Sequence, residues 1–141
     1  MVDLRLQRPL RILVNPGHGG AGSIVDLIEE ELASLALNIA FIKINHHPDG
    51  AFPKGAPNPM LEENRIETSE AVIKHNADLG IAWDGDFDRC FLFDEKGRCI
   101  EGYYLVGLLA QCFLEKEQGA KILHDPRLYW NTHELVSLKG G

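Results

Sequence analysis

The sequence predicts an α/β fold: a three-layer sandwich with a mixed, mainly parallel sheet, in the order βαβαβ followed by a β-hairpin and a helix. Apolar runs at residues 10–14, 39–44 and 79–83 have the length of buried strands. Segments with helical spacing separate these runs, and this order indicates right-handed crossovers between parallel strands. The composition over 141 residues, 45% hydrophobic and 25% charged, is that of a globular protein with an ordinary core.

The first part of the chain is predicted to form a strand, a helix and a second strand. After the strand at residues 10–14 comes a glycine-rich turn, and apolar residues then recur at helical spacing over residues 24–36, with Ser23 as the predicted N-cap. The second strand covers residues 39–44. The long loop at residues 45–59 is rich in Pro, Gly and Asn, and loops of this length in compact domains are often functional.

The middle of the chain continues with a second helix, predicted at residues 62–76, and a third strand at residues 79–83. Two short apolar runs at residues 90–93 and 98–100 flank a turn that contains Gly97, which indicates a β-hairpin. The inner face of the second helix should carry Ile66, Ala71, Val72 and Ile73.

The last part of the chain starts with a third helix, predicted at residues 103–117 and ended by Gly119. Residues 121–124 should begin a further strand, which the following Asp-Pro pair breaks. Asn131 or Thr132 is the expected cap of a last short helix.

Charge and cysteine usage exclude several classes of protein. A net charge of −7 argues against a general nucleic-acid or anionic-membrane surface. Cys90, Cys99 and Cys112 form no CxxC pair, which is simplest to explain as reduced thiols in a cytoplasmic protein. The most apolar window, residues 103–114, is too short to span a bilayer. We therefore expect a cytoplasmic protein that binds neither nucleic acid nor membranes.

A cluster of acidic residues carries the chemistry that the sequence predicts. Asp84, Asp86 and Asp88, followed at once by Arg89, connect two apolar strands. Carboxylates this close repel one another, and a bound cation relieves the repulsion. Oxygen ligands select hard cations such as Mg²⁺, Ca²⁺ or Mn²⁺. In a straight strand the three acids would span about 13 Å, so a shared ion requires a curled connection, which Gly85 permits.

Two other interpretations of the acidic run are possible. Asp84, Asp86, Asp88 and Glu95 occupy positions 1, 3, 5 and 12 of a calcium-binding loop, but Arg89 stands where that loop needs glycine, and strands flank it instead of helices. A strand that ends in Asp-x-Asp is also typical of phosphatases with an aspartate nucleophile, here Asp84. The residues that follow differ from the usual phosphatase pattern.

For two further motifs, a structural explanation competes with a functional one. Residues 17–22 match G-x-G-x-x-G between a strand and a helix, as in dinucleotide-binding proteins. No acid follows the second strand to bind a ribose, so a tight strand–helix turn is the favoured interpretation. His18, His46 and His47 lack a partner ligand pair at zinc spacing, which favours surface loop histidines.

The run Asp84-Gly85-Asp86-Phe87-Asp88-Arg89, with the residues around it, closely resembles the metal-binding loop of the α-D-phosphohexomutases. Within that superfamily it is most similar to the bacterial phosphomannomutase/phosphoglucomutase group. Residues 15–22, 48–53 and 57–59 resemble other signature turns of the second domain of these enzymes, and residues 121–127 resemble the start of the third domain. The resemblance implies a metal-binding α/β domain at residues 1–119 and a truncated start of the next domain at residues 120–141.

The resemblance also implies a function. These enzymes are isomerases, intramolecular phosphotransferases that interconvert hexose 6-phosphate and hexose 1-phosphate (mannose or glucose phosphate) through a phosphoserine and a bisphosphate intermediate. By this resemblance, Asp84, Asp86 and Asp88 would hold Mg²⁺, and Arg89 would bind phosphate or substrate. The resemblance assigns no catalytic residue to this chain.

The phosphoserine motif, the sugar-reading loop and the distal phosphate-binding loop of the family have no counterpart in this sequence. We therefore expect no turnover from this chain alone, and we expect the other mutase domains to be its partners. A non-catalytic divalent-ion or partner-binding module is the alternative of a different class. The apolar tail should fold back or support self-association; its residues are Ile122, Leu123, Leu128, Trp130, Leu135 and Val136.

Overall fold

Five strands form one mixed sheet in the order β2-β1-β3-β4-β5. The computed structural model describes residue 6, residues 8–127 and residues 129–141. The described residues fall into two compact units, one that ends at Cys99 and one from Ile100 to Gly141. The strands are β1 (Leu10–Asn15), β2 (Ile39–Lys43), β3 (Leu79–Trp83), β4 (Cys90–Phe93) and β5 (Cys99–Ile100).

Helices alternate with the first three strands and make up the second unit. The helices are α1 (Ala21–Ser34), a 3-10 turn (Glu62–Arg65) that leads into α2 (Ile66–Lys74), α3 (Gly102–Lys116) and α4 (Trp130–Leu138). The predicted cap Ser23 is wrong, because α1 begins at Ala21, three residues earlier than predicted, and Gly20 is its N-cap. The glycine-rich turn therefore runs directly into the helix.

The crossovers of the first unit place helices on both faces of the sheet. Strand β1 lies parallel to β2 on one side and to β3 on the other, and β3 lies antiparallel to β4. The crossover through α1 and the crossover through α2 run in opposite directions, so right-handed connections put the two helices on opposite faces. The predicted fold class, a three-layer α/β sandwich with a mixed sheet, is confirmed.

The core of the first unit lies between the sheet and α2. The buried cluster consists of Leu13, Val72, Ala77, Ala82 and Phe93. The face of α2 that points into this core carries Thr68 and Val72, one turn apart and both fully buried.

The prediction for the inner face of α2 is partly wrong. Val72 is buried and Ala71 packs against the core, but Ile66 is 55% exposed and Ile73 is 56% exposed. The side chain of Thr68 points inward because its hydroxyl accepts a hydrogen bond from Asn15, at 2.9 Å. With Thr68 and Val72 on the inner face of α2, the two isoleucines lie on its outer face.

In the second unit, α3 is confirmed, and Gly119 follows it with a left-handed φ of +80°. The strand predicted at residues 121–124 is absent, since no neighbouring strand pairs with these residues among those described. The predicted caps of α4 are wrong, because Tyr129 is the N-cap. The backbone N–H of Asn131 instead donates to the hydroxyl of Tyr103 at 2.6 Å, and Thr132 is buried.

The predicted domain boundary at residues 119 and 120 stays a prediction about a longer protein. In the apolar tail, Leu123 is 96% exposed and Trp130 is 74% exposed. Leu128 lies outside the described residues, and self-association of the tail also stays a prediction. No helix in the described part of the chain has the length and hydropathy to cross a membrane.

Candidate metal-binding site

The acidic residues lie in the connection between β3 and β4, where the chain reverses its direction. Trp83 and Cys90 are partners in antiparallel register, so the two ends of the connection are held side by side. Inside it, the N–H of Phe87 donates to the carbonyl of Asp84 at 3.1 Å, and the N–H of Arg89 donates to Oδ1 of Asp84 at 3.2 Å. Phe87 has a left-handed φ of +51°. The connection is therefore curled.

The curl brings the three aspartates together. One carboxylate oxygen from each of Asp84, Asp86 and Asp88 lies within 4.8 Å of the others, and no other group of three His, Cys, Asp or Glu residues in the described ranges does so. Asp84 is only 2% exposed, whereas Asp86 and Asp88 face solvent. One ligand is fixed inside the protein, and two are open to solvent and to an external group.

Arg89 adds a positive charge to the same cluster. Its Nη2 lies 2.5 Å from Oδ2 of Asp84, its Nε donates to Oδ1 of Asp88 at 3.2 Å, and its Nη1 contacts the sulfur of Met60 at 2.9 Å. The hydrogen bond to Asp88 and the charge of Asp84 raise the pKa of Arg89, although partial burial opposes this. The side chain is 47% exposed, so an anion from solution can reach the guanidinium.

The chemistry of the cluster fits a small, hard cation. Oδ2 of Asp84 is buried, and its ion pair with Arg89 lacks hydrogen-bond geometry, so no described group donates a hydrogen bond to it. The charge of Arg89 offsets only one of the three clustered carboxylates, and a bound cation would ligate this buried oxygen and offset the remaining negative charge. Carboxylate oxygens are the ligands that Mg²⁺, Ca²⁺ and Mn²⁺ prefer. The three acids therefore form a candidate metal-binding site.

The glycine-rich turn after β1 uses its backbone donors within the chain. Four successive N–H groups are engaged: Gly17 donates to Oδ1 of Asn15 (3.0 Å), His18 to the carbonyl of Asn45 (2.8 Å), Gly19 to that of Pro16 (2.9 Å) and Gly20 to that of Gly85 (3.2 Å). A dinucleotide phosphate would need such donors free. The structure favours the tight turn over dinucleotide binding.

A polar cleft of about 170 Å³ lies at the carboxyl ends of β1 and β2. These strands lead to helices on opposite faces, so the cleft occupies the switch point at which open α/β sheets bind ligands. Asn15 donates to buried Thr68, and Asn45 donates to Asn15 (3.0 Å) and to Glu67 (2.8 Å). The motifs in the sequence do not indicate this network. Only the positions of the two asparagines could have indicated it, because Asn15 ends the first strand and Asn45 follows the second.

Glu67 links the cleft to the long loop through an ion pair with Lys54. Burial raises the pKa of Glu67, but hydrogen bonds from Lys54 and Asn45 and the charge of Lys54 outweigh it, so the pKa lies below its ordinary value of 4.5. The depressed pKa contributes stability that is present above pH 4.5 and is lost as the pH falls through the folded-state pKa.

Glu67→Gln should therefore destabilise the protein at pH 7 by less than about 1 kcal/mol, because the pair is partly exposed. The difference from wild type should shrink as the pH falls below the ordinary glutamate pKa of 4.5. Urea unfolding at a series of pH values measures it, with Glu70→Gln on the outer surface of α2 as the matched control. A difference that stays constant with pH would contradict the role of the carboxylate.

The histidines differ from their predicted surface role at one position. His46 is 10% exposed, and its Nε2 lies 2.8 Å from Oδ1 of Asp26, which also pairs with Lys43 at 2.7 Å. His47 is exposed, and its carbonyl lies 3.0 Å from Nδ1 of His18. His46 therefore ties the long loop to α1 as a structural residue, and the structure gathers no histidine-containing metal cluster among the described residues.

Comparison with known proteins places this fold in a family. Residues 2–97 match the family model "Phosphoglucomutase/phosphomannomutase, alpha/beta/alpha domain II". The matched segment covers all of β1 to β4. It includes residues 84–89, which join β3 to β4 and are called the acidic connection below. The curled aspartate cluster thus belongs to the part of the chain that matches the family.

Relatives and solved structures agree with the family model. The chain is 62% identical over 133 residues to the phosphomannomutase of Salmonella montevideo and 57% identical over 140 residues to that of Escherichia coli K12. It covers 29% and 31% of the lengths of these relatives, which in turn match 94% and 99% of the chain. A crystal structure of a phosphoglucomutase/phosphomannomutase family protein from Burkholderia thailandensis superposes with a TM-score of 0.86, at 30% identity, over 99% of the chain and 29% of that protein. This chain therefore belongs to the phosphoglucomutase/phosphomannomutase family and carries its alpha/beta/alpha domain II.

Proposed function

We propose that this chain is the Mg²⁺-binding domain of a phosphohexomutase, an enzyme that interconverts hexose 6-phosphate and hexose 1-phosphate. The observation that carries the proposal is the aspartate cluster, whose carboxylate oxygens lie within 4.8 Å of one another beside Arg89. The family match supports it, and the relatives of similar sequence are phosphomannomutases. Mannose or glucose phosphate is the proposed substrate class.

Each residue of the cluster has a proposed role. Asp84, Asp86 and Asp88 would hold the cation, and they differ in access, since Asp84 is buried and the other two are exposed. The bound cation would act as a Lewis acid that neutralises charge on a phosphoryl group. The buried carboxylate of Asp84 gives the site a fixed point, and the two exposed carboxylates leave room for a phosphate ligand.

Arg89 would bind that phosphate. The guanidinium presents a planar fork of donors that matches phosphate oxygens, and nearly half of the side chain is exposed. Its contacts with Asp84 and Asp88 place it next to the cation ligands. One phosphate group can therefore meet both the cation and Arg89.

The chain supplies one part of the proposed active site. It spans 29 to 31% of the lengths of the phosphomannomutases compared above. The phosphoryl donor, the sugar-reading loop and the distal phosphate clamp would come from other mutase domains. We accordingly propose that the isolated chain does not turn over hexose phosphates.

The test is a domain exchange. Residues 2–97 of this chain, joined in place of the matching segment of the Escherichia coli relative, should give a chimera that retains conversion of mannose 6-phosphate to mannose 1-phosphate. The isolated chain assayed with Mg²⁺ should show none. The same chimera with Asp88→Asn is the matched control and should lose most of its turnover.

A folded chimera that turns over no hexose phosphate would contradict the mutase proposal and favour a non-catalytic ion-binding module. The phosphatase alternative makes a different demand, namely that Asp84 attack phosphorus directly. Asp84 is 2% exposed, and its two oxygens contact Arg89, so the structure does not favour it as a nucleophile. A hydroxylamine-sensitive acyl phosphate on Asp84, detected by mass spectrometry, would support that alternative.

A further inference from the structure

The acidic connection is held from outside by the glycine-rich turn after β1. Strands β1 and β3 are parallel neighbours, and Asn15 is the register partner of Ala82, so the segments that follow the two strands lie side by side. The N–H of Gly20 donates to the carbonyl of Gly85 at 3.2 Å. Gly85 is the residue between Asp84 and Asp86. The turn therefore contacts the acidic connection at the link between two proposed metal ligands.

The two segments approach more closely than side chains would allow. A Cβ at Gly19 would lie 2.6 Å from the carbonyl oxygen of Gly85 and 3.0 Å from its Cα. A Cβ at Gly20 would lie 2.7 Å and 2.9 Å from two ring carbons of Phe87. Distances under 3.0 Å require that one partner move. By contrast, a Cβ at Gly50 meets nothing within 4 Å.

We propose that Gly19 and Gly20 are positioning residues for the metal site, which fix the spacing of the Asp84 and Asp86 carboxylates and thereby the size of the ion that binds. This inference rests on the proposed function. Any displacement of the Gly85 peptide moves the two flanking ligands relative to each other. Mg²⁺ demands oxygen distances of about 2.0–2.1 Å in near-ideal octahedral geometry, whereas Ca²⁺ accepts about 2.3–2.6 Å in flexible geometry. A displaced connection should therefore cost Mg²⁺ more than Ca²⁺.

The two glycines act on different atoms, which makes their effects separable. A side chain at Gly19 meets backbone atoms of Gly85, and only a shift of one backbone segment against the other can relieve that contact. A side chain at Gly20 meets the ring of Phe87, which is 45% exposed and can be removed by mutation. The effect of Gly20→Ala should thus depend on Phe87, and the effect of Gly19→Ala should not.

The first measurement is calorimetric titration of the chain with Mg²⁺ and with Ca²⁺, in the presence of inorganic phosphate. Gly19→Ala should lower the affinity for Mg²⁺ by about tenfold or more, the range seen when groups that support metal ligands are changed, and the affinity for Ca²⁺ by less. The ratio of the two affinities is the informative readout, because general destabilisation lowers both alike. Gly50→Ala is the matched control and should keep both affinities.

The second measurement is a double-mutant cycle. The loss of Mg²⁺ affinity in Gly20→Ala should largely disappear in the Phe87→Ala background, while the loss in Gly19→Ala should persist there. The Gly20 cycle also decides the matter if Gly19→Ala does not fold.

Three results would overturn the inference. In the first, the glycine variants keep the wild-type ratio of Mg²⁺ to Ca²⁺ affinity; in the second, the Gly20→Ala loss is unchanged without Phe87. Both leave the proposed function intact. In the third, the wild-type chain binds neither ion even with phosphate, which overturns the proposed function together with the inference.

Discussion

Replacing Asp86 with asparagine should lower the affinity of this chain for Mg²⁺ by about 100-fold, at the upper end of what changes around metal ligands cost. The substitution keeps the shape of the side chain and removes one anionic ligand of three. Counting Asp84, Asp86, Asp88 and Arg89, the formal charge of the cluster changes from −2 to −1. Asp86 is exposed, so the fold should lose little stability.

The measurement is calorimetric titration with Mg²⁺, with and without inorganic phosphate. Glu95→Gln is the matched control, because Glu95 is an exposed acid in the next turn and lies outside the aspartate cluster. Its affinity should stay at the wild-type value. Equal affinities for wild type and Asp86→Asn, with phosphate present, would show that the cluster does not bind the cation.

The order of elements could be predicted from the sequence because it depends on local patterns. The apolar runs of β1, β2 and β3 are bounded by turns and have the length of strands, and a right-handed crossover then leaves few arrangements of the sheet. The acidic cluster could be predicted for a similar reason. Asp84, Asp86 and Asp88 lie within five residues of chain, so a single curl is enough to bring them together.

Contacts between distant segments were not predictable in this way. The hydrogen bond from Asn15 to Thr68 joins residues 53 apart in sequence, and it satisfies a polar side chain on the inner face of α2. The periodicity of apolar residues alone assigns Ile66 and Ile73 to the inner face, because it takes no account of a buried polar pair. The strand predicted at residues 121–124 failed for a related reason, because a strand depends on a neighbour that its own sequence does not specify.

The contact between the glycine-rich turn and the acidic connection could be predicted only in part from the sequence. Glycines between a strand and a helix indicate a tight turn, and the turn is there. Which segment approaches that turn depends on the order β1 next to β3, and the register of Asn15 with Ala82 sets the meeting point. The close approach of Gly20 to Phe87 follows from this register, and no sequence motif indicates it.

Replacing Phe93 with alanine should cost the first unit about 3–5 kcal/mol of unfolding free energy, the usual range for a buried phenylalanine. Phe93 is fully buried in β4 and belongs to the core cluster with Leu13 and Val72. It packs over Gly80 of the neighbouring strand, where no side chain is available to fill a cavity. Strand β4 also follows the acidic connection directly.

Urea unfolding followed by tryptophan fluorescence measures this loss. The chain has two tryptophans, Trp83 in β3 and Trp130 in α4, so a Trp130→Phe background leaves Trp83 to report on the first unit alone. Leu27→Ala is the matched control: Leu27 is 60% exposed on α1, and its loss should change the unfolding free energy by no more than about 0.5 kcal/mol.

The same experiment links the core to the metal site. If the aspartates come together only in the folded unit, Mg²⁺ at 100 times its dissociation constant should restore about 2.7 kcal/mol to Phe93→Ala. The restored stability should fall to about 0.4 kcal/mol when Asp86→Asn is added, because a 100-fold weaker affinity leaves the same Mg²⁺ concentration equal to the dissociation constant. A loss below about 1 kcal/mol for Phe93→Ala would show that the core readjusts around the missing ring. Rescue that is equal with and without Asp86 would mean that Mg²⁺ stabilises the fold from another site.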